Sequence, residues 1–202
     1  MRALLRSIVA VAALASPAWG QPAVTPRPNP APRDRIEIEW RFGGEARRTR
    51  EAEIVAVFEV ENVACIPPDP GAALGGVRLR PIHSVRVASR SPTDGVLHAT
   101  LWADAFAASD PFGLGLCRWR LADVRLTFRS PHHAVPFVAS TGPEPSGRSG
   151  PLEWWYLEAD FRRPPPAPIT AVFGEGPGFY PQKEATFALR ATIRRGRAGP
   201  AP

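Results

Sequence analysis

Lysine is almost missing from this chain: of 25 basic residues only Lys183 is not an arginine. That bias, in company with abundant alanine, glycine and proline, is the mark of a GC-rich genome and carries no function by itself. Strong net charge is also lacking, because loss of Arg2 and Arg6 with a leader segment takes the formal +6 to +4. A nucleic-acid surface concentrates its cations in one stripe. Here most arginines alternate with apolar residues, as solvated strand faces do, and no nucleic-acid partner is expected. Long apolar runs are scarce as well. A spanning helix needs about 20 apolar residues, and none occurs, so no membrane span is expected. Cysteine appears only at Cys65 and Cys117, which leaves a cysteine-based metal site short of ligands.

What is present begins with the amino terminus. Arg2 and Arg6 lead into an apolar stretch from Ile8 to Ala15 and a small-residue exit at Ala18-Trp19-Gly20, the layout of a signal peptide. Cleavage after Gly20 is expected, with no cysteine at that point to take a lipid. The mature protein is therefore expected in the periplasm or the medium. In that oxidising space Cys65 and Cys117 read as a disulfide, two inert buried thiols being the other reading. Residues 21–34 follow as a Pro-rich tether, residues 35–195 as the folded domain, and residues 196–202 as a flexible tail.

The domain reads as strands. Ile36, Ile38, Trp40 and Phe42 alternate with charged residues, the period of a strand with one wet face. Residues 53–60 form a more buried strand running towards Cys65. Val77/Leu79 and Val85/Val87 are two short pieces parted by Pro81, and Ser91-Pro92-Thr93-Asp94-Gly95 is a turn cluster that makes a hairpin with residues 96–103. A short helical turn is expected over residues 103–108. Cys117, Trp119 and Leu121 share one face, whereas Val124, Leu126 and Phe128 continue it on the opposite parity. One residue of slip turns every side chain over, so a bulge is expected at Ala122-Asp123. Residues 152–161, 169–173 and 185–194 are three further strands, with Phe187, Leu189 and Ile193 inward. Between Ser140 and Pro151 the composition is that of a loop.

Eight or nine short strands with little helix define an all-β chain, a single disulfide-linked β-sandwich. It is immunoglobulin-like only loosely: Trp102 lies nearer the second cysteine than the first, and Gly115 stands where that family has a tyrosine. Cys65-Ile66-Pro67-Pro68 and Phe112-Gly113-Leu114-Gly115-Leu116-Cys117-Arg118-Trp119, within residues 60–128, resemble small exported β-rich proteins of Gram-negative bacteria. The resemblance implies a disulfide-linked β fold and brings no activity and no functional residue.

No catalytic residue emerges. His83 and His98 lie inside strand patterns, and His132-His133 follows Pro131 without an acidic residue or cysteine at ligand spacing, so neither metal nor other cofactor is expected. There is no G-x-S-x-G, and Ser146 to Gly150 reads as linker. Asp104 and Asp110 lack the spacing of a calcium loop and read as turn caps. One segment does read as a binding surface. In a strand Trp155, Leu157, Ala159 and Phe161 face the core, leaving Trp154, Tyr156 and Glu158 outside, aromatic plates beside a carboxylate that suit a sugar ring or a protein interface. The expectation is a non-enzymatic binding or structural protein of the bacterial envelope whose partner is an envelope protein or glycan. A carbohydrate-binding module using Trp154 and Tyr156, or a small envelope hydrolase with carboxylates converging in the fold, are the alternatives.

Overall fold

The computed structural model describes residues 24–69, 76–89, 92–142, 151–165, 169–170, 172–173, 178, 180 and 185–197. The expected leader, residues 1–20, and the Gly-rich linker from Ser146 to Gly150 lie outside them. Strands dominate, as the period-2 patterning requires. They are β1 (Asp34–Phe42), β2 (Ala52–Val60), β3 (Ile82–Val87), β4 (Val96–Trp102), β5 (Trp119–Arg129), β6 (Pro136–Ser140), β7 (Leu152–Leu157), β8 (Ile169–Thr170), β9 (Val172–Phe173) and β10 (Thr186–Arg197). They build two five-stranded sheets, ordered β4-β1-β10-β7-β9 and β3-β2-β5-β6-β8. Every pairing is antiparallel except the two-residue contact of β6 with β8.

The inward faces interlock as one core. From the first sheet come Ile36, Ile38, Trp40, Leu97, Leu189 and Tyr156; from the second, Ile54, Phe58, Leu126, Phe128 and Phe137, all buried. The Phe42 and Phe128 rings meet edge-on at 5.1 Å, and Phe128 meets Tyr156 at 5.5 Å, so aromatic packing crosses between sheets. The parity change in β5 is a bulge: Val57 pairs with Asp123 and Phe58 with Leu121, which leaves Ala122 as the extra residue. The bulge aims Asp123 at the β6 end. Its carboxylate accepts from the Ser140 and Thr141 hydroxyls, the Gly142 amide and Arg125 Nε.

Cys65 and Cys117 are bonded, Cα to Cα 5.3 Å across a separation of 52 residues, and both are buried. Cys65 closes a 3-10 turn (Val63–Cys65) after β2, and Cys117 immediately precedes β5. The bridge therefore staples the ends of neighbouring strands of one sheet, whereas the immunoglobulin bridge joins opposite sheets.

Several local expectations are corrected. The segment read as a tether is docked from residue 24 on: Asn29 N donates to Ala105 O and Ala107 N to Arg27 O, both near 2.9 Å, and Pro28 bridges Phe106. Ala103-Asp104 do turn, but Ala105 and Ala107 take those bonds in extended form, so the turn does not continue as a helix to residue 108. β3 and β4 do not make a hairpin sheet but belong to different sheets, with Asp94-Gly95 turning the chain between Thr93 and Val96. Both turn residues have positive φ, 51° and 73°, the type I′ geometry that Asp-Gly supplies. Val77 and Leu79 lie outside any strand, β6 was not anticipated, and β10 continues to Arg197.

Candidate functional site

The aromatic strand is reversed relative to the sequence reading. Leu152, Trp154 and Tyr156 face the core, 5 %, 1 % and 0 % exposed, while Glu153, Trp155 and Leu157 point away. The register gives the reason. β7 places Leu152, Trp154 and Tyr156 opposite Ala191, Leu189 and Phe187 of β10, and residues opposed in a ladder share a face. The expected parity leaned on Phe161, but the sheet ends at Leu157 and a one-turn helix, α1 (Glu158–Arg162), follows. Phe161 enters the core from that helix, so its parity says nothing about the strand. Glu158 and Asp160 in the first turn and Arg162 in the last suit the helix dipole. Pro164 and Pro165 stand just past its end.

Trp154 and Tyr156 thus serve the sandwich, not a ligand. Trp154 Nε1 donates to Ser140 O at 3.2 Å and the Tyr156 hydroxyl to Val138 O at 3.1 Å, so the first sheet reaches across to β6 of the second. Burial pushes the Tyr156 hydroxyl well above the ordinary tyrosine range. Glu158 turns to Arg162 at 3.1 Å, and Arg162 also grips Glu45 with two bonds of 2.9 and 3.0 Å. That pair holds the Glu45 carboxyl below its usual range, the Arg162 hydrogen bond being the leading cause. Hence the carboxylates that meet here are bound to one guanidinium.

The other sequence candidates are also placed. Asp104 caps the amides of Arg33 and Asp34, and Asp110 that of Leu114. His83 lies edge-on to Phe106, and His98 is on the exposed face of β4. His133 Nε2 donates to Asp160 O at 2.7 Å. Among the described residues, no group of three or more His, Cys, Asp or Glu is arranged to hold a metal ion.

Two surfaces that the sequence reading missed stand at opposite ends of β2 and β5. At the disulfide end lie the exposed large apolar side chains of the described residues: Val63, Val77, Leu79, Ile82, Leu114 and Leu116, the most open being Ile82 at 65 % and Leu116 at 63 %. They are gathered by the backbone. Asn62 Nδ2 donates to Leu116 O at 2.8 Å, Arg78 donates to the carbonyls of Val63, Ala64 and Ile66, and Val60 N donates to Pro81 O. Around them the charged side chains are ion-paired, Arg118 with Glu61 at 3.6 Å and Arg80 with Glu59 at 3.2 Å.

At the other end a 3-10 turn (Gly44–Arg48) leads into Thr49 and Arg50 before β2. Arg47, Arg48, Thr49 and Arg50 line a cleft of about 720 Å³ with Thr93, Asp94 and Pro131. A second cleft of about 430 Å³ shares Arg48, Arg50 and Pro131 and adds Arg129 and His132. Gly95 is required where it packs on this segment, since a Cβ there would sit 2.9 Å from Arg47 Cγ. The available signal was the Arg47-Arg48-Thr49-Arg50 run itself, which breaks the alternation of the flanking strands.

Comparison with protein-family models, with curated proteins and with solved structures gives no match. The two ends of the sandwich are therefore the basis for a functional reading.

Proposed function

We propose that this protein is an exported, non-catalytic binding module of the bacterial envelope that docks another envelope protein through its disulfide-stapled end. The leader-like start and the single disulfide support the compartment. The observation that carries the binding role is the apolar cluster formed by Val63, Val77, Leu79, Ile82, Leu114 and Leu116. Exposed apolar side chains gathered at one end mark an interaction site, and an apolar centre within a polar rim is the anatomy of a protein interface. The rim argues against a lipid surface. Arg118 and Arg80 are paired with Glu61 and Glu59, whereas a surface meeting lipid phosphates keeps its cations unpaired. Arg78 holds the cluster rigid by bonding three carbonyls of the 63–66 turn, which lowers the ordering cost of docking.

The experiment compares the full chain with an Ile82→Asp, Leu116→Asp double variant, both immobilised and exposed to solubilised envelope protein. The wild type is expected to retain one defined protein in stoichiometric amount, and the variant to lose it at least tenfold with unchanged near-UV circular dichroism. Equal retention refutes the reading. So does a wild type whose apolar end is covered by a second copy, seen as a dimer in sedimentation that the double variant abolishes, or by phosphatidylcholine vesicles.

A further inference from the structure

We infer that the arginine-lined cleft at the opposite end binds a phosphomonoester-bearing ligand. This surface is independent of the docking end. β2 spans nine residues between them, about 30 Å at strand rise, so one module has room to hold two partners at once.

The cleft brings together chain segments far apart in sequence. Antiparallel pairing of Ala52 with Phe128 sets the Arg47-to-Arg50 run beside Arg129 and Pro131, and the type I′ turn contributes Thr93 and Asp94 from a third direction. Arg47, Arg48 and Arg50 make no ion pair and no side-chain hydrogen bond with any other described residue. Three acids lie nearby and are outnumbered: Asp94 lines the same cleft, Glu45 is held twice by Arg162 with its pKa also lowered by Arg48, and Glu51 pairs with Arg129 at 3.6 Å. Elsewhere Arg35, Arg41, Arg86 and Arg195 each meet a carboxylate; what sets this end apart is that three arginines without an ion pair fall within four residues and line one cleft.

Thr49 supplies a second, separate observation. It lines the same cleft, is 2 % exposed, and its Oγ1 is buried without a hydrogen-bond partner among the described residues. A buried hydroxyl without a partner costs stability, so a small shift of this turn that brings Thr49 Oγ1 to a ligand oxygen is favourable, and guanidinium forks and hydroxyls are donors that proteins place around phosphate oxygens. Charge selects the class. A carboxylate carries one negative charge, whereas a phosphomonoester carries about −1.5 to −2 at neutral pH and three acceptor oxygens, which suits several unpaired guanidiniums and a hydroxyl.

The test is calorimetric titration of the full chain with glycerol 3-phosphate, a soluble phosphomonoester, together with sedimentation on phosphatidylcholine vesicles with and without phosphatidic acid, whose headgroup is also a phosphomonoester. Saturable binding of glycerol 3-phosphate is expected, weakened at least tenfold in Arg48→Gln, Arg50→Gln and several-fold in the near-isosteric Thr49→Val. Binding should be unchanged in Arg195→Gln, an arginine paired with Asp34. Co-sedimentation with phosphatidic acid vesicles identifies a lipid source; glycerol 3-phosphate binding without it identifies a soluble or polymeric one. The inference is overturned by absence of saturable binding, by equal affinity in the cleft variants, or by the dicarboxylate glutarate competing as well as glycerol 3-phosphate.

Discussion

Trp154→Ala and Trp155→Ala are neighbouring substitutions that the two possible parities of β7 order oppositely. Trp154 is 1 % exposed, its ring lies 5.2 Å from that of Trp40, and its Nε1 donates to Ser140 O across the sheets. Removing a buried tryptophan costs about 3–5 kcal/mol through lost transfer energy and the cavity left behind. Stranding the Ser140 carbonyl adds about 1 kcal/mol, so the total is about 4–6 kcal/mol, a large part of the 5–15 kcal/mol that holds a typical domain folded. Trp155 is half-buried on the outer face, and its Nε1 has no partner among the described residues. Its truncation loses partial packing and no side-chain hydrogen bond, about 1–2 kcal/mol. Urea unfolding of the oxidised protein, followed by far-UV circular dichroism, reads the difference. With a slope of about 2 kcal/mol per molar, the midpoint falls by about 2–3 M for Trp154→Ala and by about 0.5–1 M for Trp155→Ala. Equal losses, or a larger loss for Trp155→Ala, refute the inward placement of Trp154 and return that side chain to the surface.

Cys117→Ser removes a bridge over 52 residues and is expected to cost about 4 kcal/mol by the chain-entropy estimate; equal denaturation midpoints for oxidised and reduced protein would reject this. Asp123→Ala removes the acceptor of the Ser140 and Thr141 hydroxyls and one of the two acceptors of the Gly142 amide, so a loss of about 2–3 kcal/mol is expected, measured by the same unfolding assay. The chain has two tyrosines, Tyr156 and Tyr180, and burial raises both hydroxyls above the ordinary value. A raised folded pKa means that their contribution to stability is complete below about pH 10, the unfolded value, and is lost as pH climbs from there through the folded values. Tyrosinate absorbance should therefore lag that of urea-unfolded protein above pH 10, and coincident titrations would contradict the burial. Gly95→Ala should destabilise measurably in a thermal melt, because the residue sits at φ 73° and its new Cβ meets Arg47.

Within single strands the patterning was legible because every side chain answers to one local rule. The alternation of Ile36, Ile38, Trp40 and Phe42 located β1, and the slip between Leu121 and Val124 located the bulge that Ala122 makes. Asp94-Gly95 announced its turn for the same reason, since positive φ is a property of the residue and its neighbour. The parity of β7 was not legible, because the strand stops at Leu157 and the period changes to that of a helix before Phe161. Only the ladder with β10 resolves it.

The amino-acid sequence by itself determined the class of fold, the strands with a clean period and a pair of cysteines suited to an oxidising compartment. Tertiary structure decided which face of the aromatic strand is inside, that Cys65 and Cys117 staple one sheet and not two, and where the surface chemistry collects. Val63 and Leu116, or Arg50 and Arg129, are dispersed along the chain and share one end of the sandwich only because β2 and β5 run antiparallel and bring their ends together. Local pattern reports the environment of one segment. A site assembled from the ends of several strands depends on register, and register is a property of the pairing.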